Sequence, residues 1–244
     1  MGQYWKLVNV DKYQMTGNMG NFGEFFFDNC TFFLSLIVPT TPTTIGAYNP
    51  YHACGSWAGD RILCLGDYAE DLPEGLLTNS QIDSSDEDPA DWLFEACTGA
   101  NLKCDPYEHV RSLSRVWVLR NLSKREYVRS NGIPSKRNGM LVYDQDIGLD
   151  GNPGLCQVLL SRIGWSSDDS VSMCYKGPLQ LHRGSWAGDR FDVRPFDDVI
   201  ESMRDEGGWV DLTRTAARDI YDLFKSEYGH DEDFEEEPQG SDEE

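Results

Sequence analysis

Hydrophobic and polar residues alternate in two short segments of the chain, and the alternation predicts a β-hairpin in each. Side chains along a strand point alternately to opposite faces, so Trp117, Leu119 and Asn121 share one face. A polar pair follows each segment and is typical of a turn, after which the chain returns. The outgoing strands are expected at residues 4–10 and 116–122.

Apolar residues at helical spacing predict two amphipathic helices near the end of the chain. Their apolar faces contain Phe196, Val199, Ile200 and Met203, and then Leu212, Ala216, Ile220, Leu223 and Phe224. Two other apolar stretches, at residues 25–38 and 155–163, have no period that separates helix from strand. The expected fold class is α+β: duplicated hairpin and strand units in one sheet system, with helices packed at its edge.

The segment GSWAGDR occurs twice without change, at residues 55–61 and 184–190. The pattern Trp-x-Leu-x-Asn precedes both copies in the same order. Such repetition indicates an internal duplication. We expect residues 1–110 to form a first repeat unit and residues 111–229 to form a second, packed with the first as one globular domain. Residues 230–244 are expected to be a disordered acidic tail.

The chain has 244 residues and a formal net charge of −21, which disfavours non-specific binding to nucleic acids and anionic membranes. Its seven cysteines form no C-x-x-C pair, and no basic and apolar leader opens the sequence. The longest apolar run falls short of the roughly 20 residues that a membrane helix needs. We therefore expect a cytoplasmic or nuclear protein with reduced thiols and no membrane partner.

The segments MGQYWKLVNVDK and GSWAGDRILCLGDYAEDLPEGLL resemble a family of fungal proteins that has no established function. Shorter bacterial and phage proteins are similar over the first half only. The segments VWVLRNLSKREYVRS, LLSRIGWSSDDS and HRGSWAGDRFDV resemble a related fungal group. The resemblance covers most of residues 1–225. It implies a fungal origin and does not imply a reaction.

The two GSWAGDR copies supply candidate binding residues. Neighbouring Asp and Arg side chains on a strand point to opposite faces, so we expect pairing between the copies, with Asp60 meeting Arg190 and Arg61 meeting Asp189. In the functional alternative, these charges surround a cleft between the halves. The leading hypothesis is a non-catalytic interaction or ligand-binding module that uses Trp57, Asp60, Arg61, Trp186, Asp189 and Arg190.

An alternative hypothesis is a hydrolase with an Asp/His cleft between the repeats. Its acid–base residues would be His52, Asp60, His182 and Asp189. No nucleophile signature such as G-x-S-x-G accompanies them. The segment 146–157 imitates a calcium loop but has Gly and Gln where ligands belong, so we predict no metal site and no cofactor.

Residues 111–137 contain eight Lys or Arg residues and one acid, Glu126. Trp117 and Tyr127 lie among them, which makes nucleic-acid binding a further alternative. The residues that would carry it are Arg111, Arg115, Arg120, Lys124, Arg125 and Arg129. We favour the interpretation that these basic residues form a face that is exposed to solvent or paired with acids of the same chain. The expected partner is otherwise an unidentified protein or small molecule.

Overall fold

The computed structural model describes residues 2–29, 31–38, 55–78, 81, 88–99, 116–137, 140–143, 154–171, 173 and 175–228. The α+β class is confirmed, since these residues contain six α-helices and two mixed sheets. The helices are α1 (Phe22–Glu24), α2 (Thr31–Ile37), α3 (Pro89–Ala96), α4 (Leu155–Ile163), α5 (Phe196–Glu206) and α6 (Thr213–Tyr228). The expected tail lies outside the described residues.

Eleven strands are formed by the described residues. They are β1 (Trp5–Asn9), β2 (Gln14–Met15), β3 (Ile62–Gly66), β4 (Thr98–Gly99), β5 (Trp117–Asn121), β6 (Glu126–Arg129), β7 (Pro134–Arg137), β8 (Met140–Tyr143), β9 (Gly164–Trp165), β10 (Phe191–Pro195) and β11 (Val210–Asp211). The first sheet has the order β4-β2-β1-β3-β9, and the second has the order β10-β5-β6-β11. Strands β7 and β8 form a separate antiparallel pair.

Both predicted hairpins are present. In each sheet, the strand that comes after GSWAGDR pairs with the first strand of the hairpin. In the first half (residues 2–99), β1 pairs antiparallel with both β2 and β3. In the second half (residues 116–228), β5 pairs antiparallel with both β6 and β10. The turns match too, because Tyr13 and Arg125 have positive φ angles of 49° and 55°. Strand β9 crosses over from the second half and pairs parallel with β3.

Three layers of apolar side chains follow from the alternation along these strands. Trp5 and Leu7 of β1 point into a central core, which they share with Leu119 of the second sheet and with α4 and α6. Val8 points to the opposite face, where α3 packs. Val118 does the same in the second sheet and packs against α5. The two sheets therefore share one core and have separate outer layers.

Both apolar stretches that periodicity left open contain helices. The first stretch contains a π-helical turn, Phe25–Asn29, and α2. Residues 155–163 form α4, in which every residue is buried. A helix that is apolar or buried on all sides shows no amphipathic period, so its sequence could not separate it from a buried strand.

The end of α4 carries a buried ion pair with the last helix. The side chains of Arg162 and Asp219 are only 5% and 7% exposed, and Nη2 of Arg162 lies 2.5 Å from Oδ2 of Asp219. Burial raises the pKa of Asp219 and lowers the pKa of Arg162, as expected when water is removed from both charges. The Arg162 guanidinium also lies 5.4 Å from the ring centre of Trp186. The pair thus connects α6 to the second GSWAGDR copy.

We expect Asp219→Ala to lower the free energy of unfolding by about 3–5 kcal/mol, because it leaves the Arg162 charge buried without a partner. Replacing both residues by apolar ones, as in Arg162→Met with Asp219→Leu, should restore most of the loss. Urea unfolding of the three proteins measures both effects. A cost below about 1 kcal/mol for the single variant would contradict the proposed role of the pair.

Candidate functional site

The two GSWAGDR copies form tight turns that share a backbone hydrogen bond and a left-handed second glycine, although the first glycine has a positive φ only in the first copy, at Gly55. In the first, the amide of Asp60 donates to the carbonyl of Trp57 at 3.1 Å, and in the second Asp189 donates to Trp186 at 3.0 Å. The second glycine of each copy has a positive φ, +84° at residue 59 and +82° at residue 188. Glycine adopts this conformation without the clash that a Cβ would cause.

Each turn is attached to the strand that follows the other turn. The amide of Gly59 donates to the carbonyl of Phe191 at 2.7 Å, and the amide of Gly188 donates to the carbonyl of Ile62 at 2.9 Å. Between them, Arg61 and Arg190 form an antiparallel bridge. We call this reciprocal contact the motif junction, defined as residues 55–61 and 184–190 with the polar side chains that bind them. It joins the two sheets.

The aspartate of each copy binds the hairpin of its own half. Asn9 donates through Nδ2 to Oδ2 of Asp60 at 2.8 Å, and Lys12 Nζ lies 2.5 Å from the same oxygen. Lys12 also donates to the carbonyl of Ser56. The second half repeats every one of these contacts, with Asn121, Lys124, Asp189 and Ser185 in the corresponding places.

The tryptophan of each copy is buried and its ring nitrogen is satisfied. Trp57 donates through Nε1 to Oε1 of Gln14 at 2.9 Å, and Trp186 donates to Oε2 of Glu126 at 2.6 Å. Both acceptors are the first residues of the returning strands, β2 and β6. Trp57 and Trp186 therefore anchor each turn to its hairpin, and neither is open to a ligand.

The expected reciprocal pairing between the two copies is wrong, because the two arginines share a different partner. Both bind Asp11: Arg61 donates through Nε to Oδ1 at 2.8 Å, and Arg190 donates through Nη1 to Oδ2 at 2.7 Å. The expected partners, Asp60 and Asp189, are held instead by the lysine and asparagine of their own hairpins. The pairing failed because both aspartates lie in the turns, before the strands begin, so strand alternation did not set their direction.

Asp11 is the carboxylate that binds both arginines of the motif junction. Burial alone would raise its pKa, but the hydrogen bonds from Arg61 and the charges of Arg61 and Arg190 outweigh burial and hold the pKa below its ordinary value. The corresponding position in the second half is Ser123, whose hydroxyl oxygen accepts from the amide of Arg190 at 3.0 Å. The two halves of the junction thus differ at this position, which holds a carboxylate in the first half and a hydroxyl in the second.

A second feature lies between the halves at the other end of β3. It is an open groove of about 820 Å³, which we call the acidic groove. Its lining residues are Asp67, Tyr68, Ala69, Glu70, Asp88, Asp91, Ser167, Asp168, Asp169 and His182. Six of these ten residues are carboxylic acids. The first six residues belong to the first half and the last four to the second.

Most of the groove carboxylates face solvent. Glu70, Asp88, Asp91 and Asp169 are exposed, and no side-chain hydrogen bond or ion pair is formed by them within the described part of the chain. Hydrogen bonds from the side chain and backbone of Ser170 hold the pKa of Asp168 below its ordinary value. The groove is therefore negatively charged at neutral pH.

One wall of the acidic groove is fixed by contacts between the halves. Asp71 accepts from Nη1 of Arg183 at 2.6 Å and from the ring nitrogen of Trp165 at 3.2 Å. The Arg183 guanidinium stacks on Trp165, 4.5 Å from the ring centre. The hydroxyl of Ser167 accepts from the amide of Glu70 at 2.9 Å. These contacts hold the two sides of the groove together.

The hydrolase alternative required four residues to converge on one cleft. His52 lies outside the described residues. His182 lines the acidic groove, whereas Asp60 and Asp189 are bound in the motif junction and are not among the groove residues. The three described residues therefore do not form one site.

Arg120, Lys124, Arg125 and Arg129 of the basic segment all have partners within the protein. Arg120 makes two hydrogen bonds with Asp192, at 2.8 and 2.7 Å, and the two side chains are 11% and 9% exposed. Arg129 pairs with Asp211 at 3.2 Å. Lys124 binds the motif junction, and Arg125 donates to the carbonyl of Gly207 at 3.3 Å. Arg111 and Arg115 lie outside the described residues.

No group of three or more residues suited to hold a metal ion is found among the described residues. Within the same part of the chain, the helices are too short or too polar to cross a membrane. Comparison with known proteins finds no matching family model, no similar curated protein and no similar solved structure.

We expect Gly188→Ala to destabilise the protein more than Gly59→Ala. Both changes force alanine into a left-handed conformation, at a cost of about 1–2 kcal/mol. At Gly188 the added Cβ would also come within 2.5 Å of Cδ1 of Leu76, whereas nothing lies within 4 Å at Gly59. Moving a packed leucine costs about 1 kcal/mol or more. Thermal and urea unfolding compare the two variants, and equal losses would contradict the clash.

We expect the stabilising effect of Asp11 to disappear at acid pH. Its pKa is lowered in the folded protein, so its contribution is fully present above the unfolded value of about 3.9 and is lost as the pH falls through the folded value. Asp11→Asn should therefore cost about 1–2 kcal/mol at pH 7 and progressively less below pH 3.9. Urea unfolding over this pH range measures the difference, and a difference that does not change with pH would contradict it.

Proposed function

We propose that the protein is a non-catalytic binding module that receives a lysine- or arginine-rich peptide segment in the acidic groove. The single observation that carries the proposal is the set of exposed carboxylates without side-chain partners, gathered on both sides of one groove. A groove of about 820 Å³ is within the range of 300–1,000 Å³ that is usual for ligand sites. Its charge complements a cationic chain.

Exposed aromatic rings beside the carboxylates support a peptide ligand. Tyr68 lines the groove and is 42% exposed, and Tyr4, which is 50% exposed, exchanges hydrogen bonds with Asp67 through its backbone. Ammonium and guanidinium groups bind favourably to the faces of such rings. Tyrosines next to carboxylates can therefore hold both the charge and the aliphatic stem of a lysine or arginine.

We also propose that residues 1–110 and 111–229 arose by duplication of one unit and that the protein belongs with the fungal family that it resembles. The repeated contacts of the motif junction support the first proposal, and the motifs MGQYWKLVN and GSWAGDR support the second. A cytoplasmic or nuclear location is supported by the buried, unbridged thiols of Cys64 and Cys97.

The binding proposal is tested with a fluorescent peptide of about ten residues that alternates lysine and glycine. We expect Glu70→Gln with Asp91→Asn to weaken its affinity about tenfold, which corresponds to about 1.4 kcal/mol, because two groove charges are lost. Affinity should also fall as salt is added. Fluorescence anisotropy measures both.

The matched control removes two exposed acids from α5, with Glu201→Gln and Asp205→Asn. It changes the net charge by the same amount and should change affinity by less than about threefold. Equal losses in both variants would show that the peptide responds to overall charge, and would refute the groove as the site. If spermine binds more tightly than the peptide, the ligand of the groove would be a polyamine and not a peptide.

A further inference from the structure

The position of Ser123 matches that of Asp11. In the first half, the amide of Arg61 donates to Oδ2 of Asp11 at 3.0 Å, and in the second the amide of Arg190 donates to Oγ of Ser123 at 3.0 Å. The neighbouring contacts also correspond, since the amides of Lys12 and Lys124 donate to the preceding asparagine side chains at 3.0 Å. A carboxylate in one half thus has a hydroxyl as its counterpart in the other.

The carboxylates of the motif junction are placed differently in the two halves. Four cations, Lys12, Arg61, Lys124 and Arg190, form ion pairs with Asp11, Asp60 and Asp189. A fourth carboxylate, Glu126, accepts from the ring nitrogen of Trp186. Asp11 alone serves both arginines. The side chain of Arg190 is 45% exposed, compared with 32% for Arg61. The position of Ser123 therefore has a hydroxyl in place of a carboxylate, next to the more exposed of the two arginines.

We propose that Ser123 is a phosphorylation site and that its phosphate takes the role in the second half that the Asp11 carboxylate has in the first. Ser123 is exposed in the turn between β5 and β6, and Lys124 and Arg125 follow it directly. The phosphate carries about −1.5 to −2 charges at pH 7 and three strong acceptor oxygens. The proposal does not depend on the acidic groove.

The modification is a phosphoryl transfer from ATP, supplied by a serine kinase. Oγ of Ser123 forms a bond to the γ-phosphorus, and the bond from that phosphorus to the bridging oxygen of ADP breaks. The hydroxyl proton passes to the catalytic base of the kinase, and ADP leaves. No oxidation or reduction takes place. In the product, the phosphate oxygens accept from Arg190 and Lys124.

A stronger junction is the expected consequence, because phosphate accepts charge-assisted hydrogen bonds from arginine and lysine. Phosphoserine can be installed at position 123 of the full chain during biosynthesis. We expect the melting temperature to rise by about 2–4 °C at low salt. The rise should shrink in high salt and should be absent when Arg190→Gln removes the main partner. An unchanged or lower melting temperature would overturn the proposal.

Two controls separate this effect from added charge and test the reaction itself. Phosphoserine at Ser202, an exposed position of α5, adds the same charge among acidic neighbours and should not raise the melting temperature. The unmodified chain is then treated with ATP and a serine kinase that prefers basic flanking residues. Peptide mass spectrometry should locate the phosphate on Ser123, and Ser123→Ala should abolish it. Phosphate found only on other serines would overturn the assignment.

Discussion

The fold depends on a reciprocal exchange of backbone hydrogen bonds between its two halves. The amide of Gly59 donates to the carbonyl of Phe191, and the amide of Gly188 donates to the carbonyl of Ile62. Each GSWAGDR turn therefore binds the strand that follows the other GSWAGDR turn. A buried backbone amide without a partner costs free energy comparable to a lost hydrogen bond. Neither turn can therefore keep its geometry if the other is displaced. The two turns thus have the same sequence and meet the same requirement.

The side chains of the motif hold the two turns in the positions that these backbone hydrogen bonds require. Trp57 and Trp186 fix each turn to the returning strand of its hairpin, while Asp60 and Asp189 bind the asparagine and lysine that close the hairpin turn. Together with the contacts of Arg61 and Arg190, these interactions give each candidate binding residue of the motif a partner within the protein. The exposed carboxylates lie instead in the acidic groove, which is formed by residues outside the motif.

The sequence predicted the elements better than the site. Alternation and repetition were sufficient for the hairpins and for the strands after the motif, because both are local patterns. The partners of Asp60 and Arg61 were predicted wrongly, because they lie at the change from turn to strand, where the period of two does not yet apply. Carboxylates of the acidic groove come from three separate parts of the chain, around residues 67–70, 88–91 and 167–169. Only tertiary structure brings these together, and in an acidic sequence they carried no local signal.

The crossed arrangement of the motif junction has a consequence for synthesis on the ribosome. The edge of β3 receives Gly188 and β9 from the second half, so it is unpaired while only the first half has emerged. Exposed strand edges are templates for pairing with other chains. The nascent protein therefore passes through an interval in which its first sheet is open to association, and the interval closes only when the chain has grown past residue 190. Slow translation before that point would lengthen this exposure, and faster translation would shorten it.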